Sequence, residues 1–234
     1  MCGRFASQLP PELLRRVFAT MGDLPNTSPS WNVAPTQSAM VIRRHPETGE
    51  RRIDALRWGL VPHFTKDLKA CKRPINARAE TIATSGMFRG ALASRRCLVP
   101  ADAFYEWKAM PDGKQPYAIA RTDGAPLAFA GLWESWRLPE GEVFRTFTTA
   151  TTAANADMAQ LQDRMPVILE PVSWPVWLGE APGNYGALLR PAAAGTVRLW
   201  PVSRAVNNGP ELLDRMDDPT APPPSGALAG DNPA

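Results

Sequence analysis

Residues 127–150 read LAFAGLWESWRLPEGEVFRTFTTA, and the fold turns on how they are read. Segments 127–133 and 143–150 are short runs carrying aromatic and β-branched residues between Pro and Gly signals, the composition of strands. The same signature recurs at 39–44, 51–58, 97–100, 117–120 and 196–202. That many strands predict a sheet-dominated core. Helical signals are fewer. Leu13, Leu14, Val17 and Phe18 follow Pro10 and Pro11 on one helical face. Ser85, followed by Met87, Phe88, Ala91 and Leu92, predicts a capped helix, and 173–178 predicts another. Strands and helices are interspersed without a steady alternation of strand and long helix, which favours an α+β or barrel-like architecture over a doubly wound parallel sheet.

The chain has 234 residues, 44% of them hydrophobic, enough for one substantial core. We expect a single domain over residues 1–216. The remainder, 217–234, ends in APPPSGALAGDNPA and is expected to be a disordered tail. The three cysteines, Cys2, Cys71 and Cys97, form no CxxC pair and are odd in number, against a disulfide framework or a cysteine zinc site. There is no GxGxxG, no P-loop and no metal-ligand spacing, and His45 and His63 are the only histidines. No cofactor and no metal are expected. No apolar run approaches the roughly 18 residues that span a bilayer, and the N-terminus lacks a basic-then-apolar signal. The expectation is a soluble, cytoplasmic monomer, nucleoid-associated if bacterial.

The formal charge is +3 but unevenly placed. Residues 41–121 hold 16 Lys and Arg against 8 Asp and Glu, or +8, with +1 before them and −6 after them. If the fold gathers these charges, a polyanion such as nucleic acid is the natural partner. If it does not, they solvate surface strands.

The chemistry starts at Cys2. It is followed by Gly3, and small residues here allow methionine aminopeptidase to remove Met1. The product is a free 1,2-aminothiol, with reference pKa values of about 7.7 to 8.0 for the amine and about 8.5 for the thiol. An aldehyde can condense with the amine to an imine and then be attacked by sulfur, closing a thiazolidine ring. An amide or ester could instead be attacked by the thiolate to give an acyl-enzyme. The bland alternative is an incidental small residue at a frayed terminus. Farther along, the segment Asn76-Ala77-Arg78-Ala79-Glu80-Thr81 packs an amide, a guanidinium and a carboxylate together. Phe104-Tyr105-Glu106-Trp107 sets a carboxylate among aromatics, where burial would raise its pKa. Asp163-Arg164-Met165-Pro166 reads equally as a plain turn.

Taken in order, Met1-Cys2-Gly3-Arg4-Phe5, Asn32-Val33-Ala34-Pro35-Thr36, Arg57-Trp58-Gly59-Leu60-Val61-Pro62, the segment 76–81, Cys97-Leu98-Val99-Pro100-Ala101, Phe104 to Trp107, Arg164-Met165-Pro166 and Val202-Ser203-Arg204-Ala205-Val206-Asn207 resemble the SRAP (SOS response-associated peptidase) family over roughly residues 2 to 210. The resemblance implies an α+β domain with a strongly curved, barrel-like, mainly antiparallel sheet and a basic DNA channel. It implies recognition of abasic sites in single-stranded DNA and cross-linking through Cys2. The open abasic sugar is an aldehyde, which fits the aminothiol chemistry. By the same resemblance Asn76 orients the sugar and Glu106 transfers protons. Arg4, Arg78 and Arg164 contact phosphates, while Asn32, Pro35 and Thr151 line the groove. Phe64 stands where a stacking aromatic, usually Trp, is expected. One departure concerns Gln162, which occupies the position of the family histidine. Glutamine cannot shuttle a proton near pH 7. Cross-linking is expected to persist through Glu106, with the histidine-dependent step slower or absent.

Three alternatives remain. The family name records a peptidase activity, which here would amount to removing Met1. A class II glutamine amidotransferase domain also begins at such a cysteine, but works with an attached acceptor domain. A non-covalent single-strand binding module would bind intact and abasic strands alike.

Overall fold

The chain was analysed as a computed structural model, which describes residues 2–138, 141–204, 209–214 and 216. The expected tail, 217–234, lies outside the described residues. In chain order the elements are β1 (Phe5–Ser7), α1 (Pro11–Phe18), β2 (Ser30–Val33), β3 (Ser38–Arg44), β4 (Arg51–Trp58), β5 (Asn76–Arg78), α2 (Arg89–Ser94), β6 (Arg96–Ala101), β7 (Ala103–Met110), β8 (Gly113–Arg121), β9 (Leu127–Arg137), β10 (Val143–Ala153), α3 (Ala156–Ala159), β11 (Arg164–Pro166), α4 (Trp174–Leu178) and β12 (Val197–Pro201). Each of the seven strand runs expected from sequence is a strand, and the fold is the expected sheet-rich α+β class.

β10 organises the larger sheet. It pairs antiparallel with β9 from Val143↔Arg137 to Thr149↔Gly131, and parallel with β4 at Thr146↔Arg57 and Phe147↔Trp58. β4 pairs with β3, β3 with β6 and β6 with β9, so the pairings close a ring of five strands. This closure is what curves the sheet into a barrel and leaves those strands without free edges. Past the ring, β10 continues to pair with β5 in parallel and with β11 in antiparallel fashion. A second, antiparallel sheet runs β12-β8-β7-β1-β2.

Side chains alternate along the ring strands with the period of two that a pleated backbone imposes. On β9, Leu127, Phe129 and Trp133 join one core cluster, while Ala128, Ala130 and Leu132 join another. The first cluster also takes Val41, Val99, Phe147, and Phe5 and Phe104 from the smaller sheet. The second lies beneath the helices, with Phe18 of α1, Leu92 of α2, and Trp174 and Trp177 of α4. Burying each such side chain contributes about 1.5–3 kcal/mol. Gly131 completes the first face because a Cβ there would sit 2.8 Å from the Cys97 sulfur and 3.0 Å from Val99.

The helices are short. α1 starts at Pro11 after Pro10 and ends at Ala19, which takes a left-handed conformation at φ 50°. Its Phe18 stacks on Trp174 at 4.5 Å. The helix expected after Ser85 begins only at Arg89. Ser85 instead caps a preceding turn, its hydroxyl accepting from the Met87 amide at 3.3 Å. The helix expected at 173–178 is α4, preceded by a 3₁₀ turn at Pro171–Ser173.

Candidate active site and nucleic-acid interface

The N-terminal strand is held from both sides, with Phe5 opposite Val33 of β2 and Phe104 of β7. This clamps the residues before it, and Cys2 is buried at 1% exposure. Its thiol points to the Arg4 carbonyl at 3.8 Å. β5 supplies the group that fixes Cys2. Parallel pairing sets Asn76 opposite Thr149, whose hydroxyl donates to Asn76 Oδ1 at 2.6 Å. The other end of the amide is thereby oriented, and Asn76 Nδ2 donates to the Cys2 carbonyl at 2.8 Å. The segment just before β5 is also tied in: the Trp58 indole N–H donates to the Ile75 carbonyl at 2.9 Å.

Glu106 comes from β7, is 3% exposed, and lies between Tyr105 and Trp107. Burial raises its carboxyl above the ordinary range, and the charge of Asp163 adds to the shift. Burial also pushes the Cys2 thiol up, with the Glu106 charge the next cause in the same direction. The Cys2 thiol is therefore close enough to sense the Glu106 carboxyl, whose charge favours the protonated thiol. The Tyr105 hydroxyl anchors this strand to β2 by donating to the Trp31 carbonyl at 2.7 Å. Gln162 lies against it too, its Nε2 donating to the Trp107 carbonyl at 2.9 Å, one residue along from Glu106.

The remaining expected residues fall into three places. Arg4 donates to Asn32 Oδ1 at 3.0 Å, joining two residues expected in the groove. Pro35 is half-buried in the turn that carries Thr36 at φ 74°, and the Thr36 amide donates to the Trp58 carbonyl. The register sets Thr151 opposite both Arg78 of β5 and Pro166 of β11. Beside it, Arg164 grips Glu80 with both arms at 2.6 and 3.0 Å and donates to the Thr151 carbonyl at 2.8 Å. The Arg164 guanidinium holds the Glu80 carboxyl below its ordinary range. Arg78 itself is exposed. Phe64 is 58% exposed on the segment after β4, edge-on to His63 at 5.4 Å in a small recess with Met87, Arg89 and Glu134. Its ring contact among the described residues is with His63 in that recess. Among the described residues, no group of three or more His, Cys, Asp or Glu is arranged to hold a metal.

Sequence reasoning missed Thr149 and the Trp107 carbonyl. Thr149 is one of five buried threonines on β10, with Thr146, Thr148, Thr151 and Thr152, and only the parallel register singles it out. Chemically, a thiol just before a clamped strand, beside a carboxyl whose protonated form burial favours, suits addition to a carbonyl carbon with loss of water.

The sequence pattern of the family described as SOS response associated peptidase (SRAP) matches residues 1–209. The chain is 40% identical over 224 residues to abasic site processing protein YoqW of Bacillus subtilis, covering 92% of this chain and 99% of that protein. It is 33% identical to abasic site processing protein YedK of Escherichia coli, with 91% and 99% covered. A solved protein structure from Bordetella bronchiseptica matches with a TM-score of 0.73 at 29% identity, over 86% of this chain and 100% of that one. Another from Bacteroides thetaiotaomicron shares the fold with a TM-score of 0.84 at 22% identity, over 92% and 100%. No helix among the described residues is long and apolar enough to cross a membrane.

Proposed function

The chain belongs to the SOS response-associated peptidase family, and we propose that it processes abasic sites by cross-linking Cys2 to them in single-stranded DNA. The observation that carries this reading is the hold of Asn76 on the Cys2 carbonyl beside the buried Glu106 carboxyl. It fixes the backbone of the residue whose amine and sulfur must both reach one carbon.

Once Met1 is removed, the Cys2 amine adds to C1 of the open abasic sugar to give a carbinolamine. Glu106, whose protonated form burial favours, gives a proton to the hydroxyl, which leaves as water while the C=N bond forms. The sulfur then bonds to C1, the C=N electron pair returns to nitrogen, and the thiol proton passes to the Glu106 carboxylate. One water is released and nothing is oxidised or reduced. Passing the proton to Glu106 is what overcomes the raised thiol pKa. Arg4, Asn32, Pro35, Arg78, Thr151 and Arg164 hold the strand, mainly at its phosphates, and Phe64 stacks on a base.

Incubating the mature protein with abasic single-stranded DNA is expected to give an adduct that survives denaturation, with none on an intact strand. Cys2→Ser removes the sulfur and should remove the stable adduct. Full adduct formation by Cys2→Ser would refute the reading. Gln162 bears on a later step. Its amide hydrogen-bonds beside Glu106 but cannot carry a proton, so sugar opening and cross-link reversal lose a proton shuttle. Gln162→His is expected to speed formation or release, and unchanged rates for both would contradict this role.

A further inference from the structure

At the opposite end of β3 from the turn at Pro35 and Thr36 lies a cavity of about 540 Å³ lined by Arg44, His45, Ser94, Arg95, Arg96 and Gly179, among others. β3 spans seven residues, so the cavity is roughly 20 Å from that turn along the strand. No Asp or Glu lines it among the described residues. Arg95 is paired with the buried Glu134 at 2.8 Å. Arg44 and Arg96 have no carboxylate partner among the described residues, and their guanidinium groups are held by backbone carbonyls instead. Arg44 donates to Gly49 and Gly179 at 3.2 and 2.9 Å. Arg96 donates to the carbonyls of Leu92, Ala93 and Trp177, and lies 4.1 Å over the Tyr185 ring. Among the described residues these bonds engage Nε and Nη1 of each group and leave Nη2 unused.

Two guanidinium groups fixed in place, unneutralised and walling one cavity, make a preorganised anion site, because the side-chain ordering that anion binding normally costs is already met by the carbonyls. Burial lowers the Arg96 pKa, as expected of a cation that lacks a counter-ion in the free protein. With one nitrogen free on each of two guanidinium groups, the recess suits an oxyanion that offers a separate oxygen to each, as phosphate does. We propose that this recess binds a phosphate group through Arg44 and Arg96, at a site separate from the one around Cys2. The phosphate can belong to a free phosphorylated molecule or to the backbone of a nucleic-acid strand.

The test uses the full chain in a buffer without phosphate. Melting temperature is followed against inorganic phosphate, a 5′-mononucleotide and an unphosphorylated oligothymidylate, with chloride at matched ionic strength as control. Phosphate is expected to raise the melting temperature of wild type. Arg44→Gln, and Ser94→Asp, which brings a carboxylate to the rim, should lose most of that rise. Both changed residues are exposed, and adduct formation with abasic DNA should be unchanged in both variants, so this claim and the one about Cys2 fail independently. If inorganic phosphate and the mononucleotide alone distinguish wild type from the variants, the source is a free phosphorylated molecule. If the oligothymidylate distinguishes them as well, it is a strand backbone. Equal responses of wild type and both variants to all three probes, or no response beyond chloride, would overturn the proposal.

Discussion

A carboxyl buried next to a thiol costs folding energy once it ionises, and Glu106 is such a group. Its pKa is raised in the folded chain, so the folded state holds the proton more tightly than the unfolded one. The stabilisation from this linkage is complete below the ordinary glutamate value of about 4.3 and is lost as pH rises through the raised value. Glu106→Gln removes the titration. Urea midpoints should therefore show the variant gaining on wild type between pH 5 and pH 8, while its cross-linking rate falls by about 10²–10⁴. A stability difference that is the same at both pH values would contradict the role given to burial. The residues of the site were unequally legible. Cys2 stood out because of its position and its neighbour Gly3, and family motifs pointed to Asn76 and Glu106. Thr149, which orients Asn76, was invisible because nothing local distinguishes it from the other threonines of β10.

At the scale of elements, the site depends on how β4 ends. Trp58 is 1% exposed, stacks parallel to Phe147 of β10 at 6.2 Å, meets Phe5 of β1 edge-on at 5.1 Å, and binds the Ile75 carbonyl just before β5. It thus joins the strand that bears Cys2 to the one that bears Asn76. Trp58→Ala should cost about 3–5 kcal/mol, read from urea unfolding, and should remove cross-linking even where the variant remains folded. A variant with wild-type cross-linking would show that β1 and β5 are aligned without it. β3 and β4 were legible from length and composition, seven or eight residues each, with Met40, Val41 and Ile42 buried in one and Ile53, Leu56 and Trp58 in the other. β1, β5 and β11 have three residues each, too few for a period of two to show. Ser85 misled because a hydroxyl before an apolar run can cap a turn as readily as a helix.

For the molecule as a whole, the ring closure was not written in any local pattern, since it follows from β10 pairing with both β9 and β4 along one strand. Charge was only partly legible for the same reason. Several arginines of the basic segment are paired in the fold with acids from the later part of the chain, Arg51 with Glu180 and Arg121 with Glu170. Arg44 and Arg96, from the same segment, have no such acid partner among the described residues and bond backbone carbonyls instead. In the proposed reaction Cys2 acts through both its amine and its sulfur. Intact-mass measurement of the adduct with an abasic oligonucleotide, formed without any reductant and denatured before analysis, tests this most directly. The predicted mass is that of the protein lacking Met1 plus the oligonucleotide less one water, with Cys2 as the modified residue on fragmentation. An adduct on a chain that retains Met1, or one located at a lysine, would contradict it.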